Sequence, residues 1–300
     1  MKEGFRLGNK NFAHNPSAYY MKNLGHSFSL VCSIFLLFWT HTRAQELYVY
    51  DYPYLMEWAS MDHRLYALEK MGFKGVVAGI ANSPVTAKKY SDYFQKNNKD
   101  FKFLAAYTAV KSAKDVANLK KSLPYLGNTK TVLWIIVRQS MSQKEMDSFF
   151  RNMSEDGQKH GVPIVIYSHY RTVIETTAHA HRIMKRVDHP NLSISLHLCH
   201  LLRTGNETKM AKIVEETIRD VSLVSISGTD DVINFNSKKG DWSDAIKPLA
   251  EGDTYVVPFL KLLKQYKYQG PILLHTFGIK NSPNHLQRSL QHFRSNLSLK

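Results

Sequence analysis

Short β-branched or aromatic runs alternate with amphipathic helical stretches eight times along this chain, and that alternation restricts its fold more than any other feature. Strands are predicted over Glu46–Asp51, Gly75–Gly79, Phe101–Ala109, Thr131–Val137, Pro163–His169, Leu192–Leu198, Val221–Ser227 and Pro271–Phe277. Helices are predicted near Asp62–Met71, Val85–Asn97, Ala113–Ser122, Ser142–His160, Val173–Val187, Glu207–Asp220, Tyr255–Tyr266 and Pro283–Asn296. Eight strand–helix units in about 250 residues fit a closed (β/α)8 barrel, one domain over 45–300. "KMGFKG" and "YKYQGP" read as one joint used twice, a helix running into a glycine-containing turn and then a strand. The longest irregular piece, Gly228–Asp253, follows the seventh strand, on the face where barrel loops cover a site.

Residues 1–44 stand apart. From Met21 the chain carries a lysine, an apolar run from Phe28 to Trp39 and small residues around Ala44, the order of a secretory signal, with 1–20 as an upstream extension. The run is too short for a bilayer-crossing helix, which needs about 20 residues, so no permanent membrane anchor is expected. The expected location is secreted or periplasmic. Removing 1–44 takes five of the 40 Lys and Arg and one of the 25 acids and leaves a net charge of +11. Lysine is spread over several helices without an arginine-rich stripe, so no nucleic-acid partner is expected. Of the two cysteines only Cys199 then remains, and an intrachain disulfide is excluded.

Strand parity indicates which side chains face the lumen. In the sixth strand Ser193, Ser195 and His197 form the inward set; in the fifth, Val165, Tyr167 and His169; in the seventh, Leu223, Ser225 and Ser227; in the eighth, Leu273, His275 and Phe277. Four consecutive strands thus bring polar groups to the C-terminal mouth, where barrel enzymes keep their chemistry.

The segments "VIYSHYRTVIET", "VDHPNLSISLHLCHLLRTGN", "VSISGTD" and "IKPLAEGDTYVVPFLKLLKQYKYQGPILLHTFGI" resemble the xylose isomerase-like barrel family, which includes sugar phosphate isomerases and epimerases. The resemblance covers most of residues 45–300. It implies a divalent metal held by Glu, Asp, His and Glu at the ends of strands five to eight. Those positions match Tyr167, His197, Ser227 and His275, and none carries the expected residue. His169 and His200 match histidines that follow the family's strand-five Glu and strand-six Asp.

This pattern leaves the cofactor open: a divalent metal is possible, with the expected ligand set missing. His169, His197, His200 and His275 are the metal candidates, because imidazole suits zinc, copper, nickel or iron better than magnesium. Without metal, a neutral histidine serves as general base beside a carbonyl, with Tyr167 as acid or oxyanion partner. The catalytic candidates are therefore His169, His197, His200 and Tyr167; Arg138, Ser227, His275 and Trp242 are the candidates for substrate contact. Asp51 and Lys111 are strand-end groups suited to orienting a hydroxyl or anion, and Glu175 reads as a helix cap. The expected activity is proton transfer on a small carbohydrate or polyol. A non-catalytic carbohydrate-binding barrel is the alternative, and an apurinic-site endonuclease, which needs metal-binding carboxylates, ranks behind both.

Overall fold

The computed structural model describes residues 46–52, 60–97, 100–229, 242, 245–279 and 283–297. The signal pattern and the upstream extension lie outside these residues. β1 (Leu47–Asp51), β2 (Gly75–Gly79), β3 (Lys102–Val110), β4 (Val132–Val137), β5 (Ile164–Ile166), β6 (Leu192–His197), β7 (Val221–Ile226) and β8 (Ile272–Leu274) pair in sequence order. All pairs are parallel, and β8 closes onto β1 through Leu47–Ile272, Tyr48–Leu273 and Val49–Leu274. The barrel expected from the sequence is the fold.

Around it lie α1 (Met61–Met71), α2 (Pro84–Lys96), α3 (Ala113–Asn128), α4 (Gln143–Lys159), α5 (Thr177–Val187), α6 (Leu198–Arg203), α7 (Met210–Thr217), α8 (Val256–Gln265) and α9 (Pro283–His292). The first five begin on Ser60, Ser83, Ser112, Ser142 and Thr176, each accepting a hydrogen bond from a backbone N–H of the first turn. Such a cap is worth about 1 kcal/mol. No helix among the described residues is long and apolar enough to cross a membrane.

Several boundaries differ from expectation: β5 stops at Ile166 and β8 at Leu274, short of the expected His169 and Phe277. α3 runs through Pro124 to Asn128, because Leu119, Leu123 and Leu126 continue one buried face and outweigh the lost hydrogen bond. The helix expected from Val173 starts at Thr177, behind its Thr176 cap. β6 ends at His197, and the short helix α6 follows with no loop between.

Two apolar layers result, as parity requires. Side chains such as Leu65, Phe103, Phe150 and Phe259 fill the space between strands and helices. Tyr48, Tyr50, Val77, Trp134, Val165, Leu223 and Leu273 fill the lumen and form a solid floor beneath the mouth.

Candidate functional site

Above that floor lies a cavity of about 640 Å3, bounded by Tyr52, Tyr107, Arg138, Tyr167, His169, His200, Trp242, His275 and Phe277 among others. Its size and largely aromatic wall are those of a small-molecule site. A hollow of about 900 Å3 opens at the opposite face, near Phe101 and Gln269, and contains none of the predicted site residues.

Four imidazoles converge at the mouth. Ring centres of His169 and His200 are 4.0 Å apart, those of His197 and His200 4.3 Å, and those of His197 and His275 4.6 Å. Three of the rings meet a tyrosine hydroxyl: His197 Nε2 lies 3.4 Å from Tyr50, His275 Nε2 3.1 Å from Tyr52, and His200 Nε2 3.4 Å from Tyr167. His169 Nδ1 is 2.8 Å from the carbonyl of Tyr170. A carbonyl only accepts, so Nδ1 carries the proton and Nε2 presents a lone pair.

Burial sets the charge of this group. Desolvation pushes His169 down to about 4, with Arg138 adding repulsion, and pushes His275 down to about 3. Desolvation and then the neighbouring rings hold His197 and His200 well below the usual imidazole range. All four are neutral at pH 7. Burial likewise pushes the Tyr167 phenol and the Cys199 thiol up, so both keep their protons.

The rings are held by packing. Tyr167 stacks on Trp134 at 3.9 Å with planes 11° apart, and Trp134 Nε1 donates to Ser195 Oγ at 2.9 Å. Trp242 stands edge-on to His200 at 5.3 Å and carries the Arg203 guanidinium 4.7 Å from its own ring centre. A cation on an indole face is worth about 0.5–1 kcal/mol where exposed, and more once desolvated.

Other predicted residues have different surroundings. Arg138 and Lys111 line the cavity and are exposed. Ser227 is buried and donates to the Ala245 carbonyl at 3.0 Å, tying down the segment after β7. Asp51 is engaged by Arg64, whose Nη2 lies 3.0 Å from Oδ2, and by the Tyr90 hydroxyl at 2.6 Å. It anchors α1 and α2 to the end of β1. Glu175 is not the helix cap; Thr176 caps α5, and Glu175 accepts from the Arg171 N–H at 2.9 Å within the preceding turn.

Sequence reasoning passed over Tyr50, Tyr52, Tyr107, Trp134 and the proximity of Cys199 to His197. The first two had a signal, the alternate tyrosines of "LYVYDY", which put one aromatic set on one side of β1.

The resemblance implies a divalent ion, and these donors decide whether one fits. Magnesium and manganese take carboxylate and carbonyl oxygens. The four strand-end positions offer a phenol, two imidazoles and a hydroxyl committed to Ala245, and the buried carboxylate of Asp51 belongs to Arg64. The residues do not fit a hard divalent ion.

Comparison with known proteins agrees with the fold. The family described as Xylose isomerase-like TIM barrel matches residues 136–296, more than half of the chain, and the chain belongs to that family. Among solved structures, a probable 3-DHS dehydratase, AsbF, from Bacillus anthracis superposes with a TM-score of 0.66 at 13% identity, over 84% of this chain and 100% of that one. A D-allulose 3-epimerase from Methylomonas sp. superposes with 0.63 at 15% identity, over 84% and 97%. The IOLI protein, solved with a zinc atom, gives 0.64 at 14% identity, over 84% and 99%. At these identities the likeness is one of fold. No curated protein matches the chain.

Proposed function

We propose that this chain is a sugar isomerase- or epimerase-like protein that binds a small carbohydrate or polyol in the mouth cavity and moves a proton at a carbon beside its carbonyl. The observation that carries the reading is His169, which lines the cavity as a neutral ring with its proton committed to Tyr170 and a lone pair on Nε2. A base at Nε2 takes the proton from carbon. The Tyr167 hydroxyl and the charge of Arg138 stabilise the oxyanion that develops, and the proton then returns to carbon. An epimerase and a dehydratase of the same fold support the class of chemistry without fixing a substrate.

One observation favours a second reading, binding without turnover. A base works best with a pKa near the operating pH, and burial has taken His169 down to about 4. Incubation with a panel of ketoses, aldoses and polyols in D2O, followed by mass spectrometry of the recovered sugars, separates the two. The proposal predicts deuterium at a carbon next to the carbonyl of at least one sugar, and a loss of about a hundredfold or more in His169→Asn. A sugar that binds without exchange would establish the second reading.

A further inference from the structure

The mismatch between this mouth and a hard divalent ion has a counterpart just beneath the cavity, where three softer donors meet. One nitrogen of His197, one of His275 and the Sγ of Cys199 all lie within 4.8 Å of one another, and all three side chains are buried. Cys199 Sγ stands 3.3 Å from His197 Nδ1. Two ligands on a tetrahedral zinc, with bonds of about 2.0 Å to nitrogen and 2.3 Å to sulfur, stand about 3.5 Å apart. That edge is already in place.

A buried cysteine alone says little, since thiols pack as small apolar groups. The independent observation is His275 Nδ1, buried with no hydrogen-bond partner, on a ring only 5% exposed. Its Nε2 meets the Tyr52 hydroxyl, and His197 Nε2 meets that of Tyr50. Both rings therefore engage a phenol through Nε2, while Nδ1 of His197 faces Cys199 Sγ and Nδ1 of His275 has no hydrogen-bond partner. Metal-bound histidines are held in this way, the far nitrogen hydrogen-bonded so that tautomer and ring orientation are fixed. A buried nitrogen left without a partner is destabilising, and a metal bond would remove that cost.

We infer that His197, Cys199 and His275 form a site for one thiophilic d10 cation, zinc(II) or copper(I), in place of the family's hard ion. Thiolate and imidazole select these ions, and Cys199 lies outside the four strand-end ligand positions of the family. On binding, the sulfur–metal bond replaces the S–H bond, and the proton leaves to solvent. The inference goes beyond the sugar reading, and its test uses no sugar, so either fails without the other.

The experiment is a titration of the metal-stripped full chain with zinc(II), anaerobic copper(I), cobalt(II), manganese(II) and magnesium(II), followed by melting temperature and absorption. Zinc or copper(I) is expected to bind one equivalent, release a proton and raise the melting temperature; whichever saturates at the lower free concentration is the ion. Manganese and magnesium are expected to leave the melting curve unchanged. Cobalt(II) is expected to give a near-ultraviolet thiolate-to-metal band, present in Cys32→Ala and absent in Cys199→Ala, with zinc affinity in the latter down about a hundredfold or more. Should Cys199→Ala fail to fold, the band in Cys32→Ala decides by itself. No cobalt band, a band that survives in Cys199→Ala, or manganese binding as tight as zinc would overturn the inference.

Discussion

An imidazole with no acid beside it loses its charge when it is buried, and that single effect governs the chemistry of the mouth. His169 and His275 are pushed down to about 4 and about 3, while a histidine in the unfolded chain protonates near 6.5. Between those values the unfolded chain binds more protons than the folded one, so stability rises with pH across the window. Their contribution is whole above about pH 6.5 and is lost as pH falls towards 4, at about 1.4 kcal/mol per group for each pH unit. Urea midpoints at pH 7 and pH 5 are therefore expected to differ, the acid one lower, and His169→Asn combined with His275→Gln is expected to shrink the difference. An equal difference in the double variant would place the acid sensitivity elsewhere. At this scale the sequence was legible through parity: His197 ends β6, Tyr167 and His169 follow β5 and His275 follows β8, and the four rings meet around one cavity and its base. It was silent on the partners of those rings. The tyrosines of β1 reach His197 and His275 across the lumen, and no spacing along the chain reports a contact between residues 147 or 223 positions apart.

Among the elements, the repeated joint is the clearest case of a pattern read correctly with its glycine placed too simply. After α1, Gly72 takes the left-handed conformation at φ 96°, donating to Glu69, while Phe73 donates to Leu68. After α8 the same two bonds run from Lys267 to Lys264 and from Tyr268 to Leu263, but the left-handed residue is Lys267 at φ 55°. The glycine the two joints share is the later one, Gly75 and Gly270, where a Cβ would meet Lys102 O at 2.1 Å and the Tyr268 hydroxyl at 2.3 Å. A side chain at a left-handed position costs about 1 kcal/mol, so Lys267→Gly is expected to stabilise the protein by about that amount. The check is a higher urea midpoint at unchanged slope; a lower midpoint would mean that the Lys267 side chain contributes more than its backbone costs. α6 is the opposite case. Its six residues are buried on every side and follow β6 without a side-chain cap, so neither amphipathic period nor start signal marks it. Reading Leu198 as strand hid the turn that folds Cys199 back against His197.

For the molecule as a whole, closure of β8 onto β1 lets distant segments share one mouth. Residues 50–52, 167–169, 197–200 and 275 are joined there only because eight strands return the chain to its start. The barrel was legible because eight repeats of one pattern leave few alternatives, and the family matches accordingly. The chemistry was less legible, because fold does not fix function and the positions that the resemblance assigns to metal ligands carry other residues. The mouth holds a group of uncharged imidazoles on an aromatic floor, and that is the central claim. It is tested most directly by nitrogen-15 spectra of the histidine side chains, recorded from pH 7 down to pH 5 in metal-stripped protein, with the four mouth rings assigned by single substitutions. His169, His197, His200 and His275 are predicted to stay neutral throughout, with Nδ1 of His169 protonated, and to keep sharp signals when one equivalent of manganese(II) is added. A mouth ring that gains its proton near pH 6.5, or one broadened by stoichiometric manganese, would contradict the account.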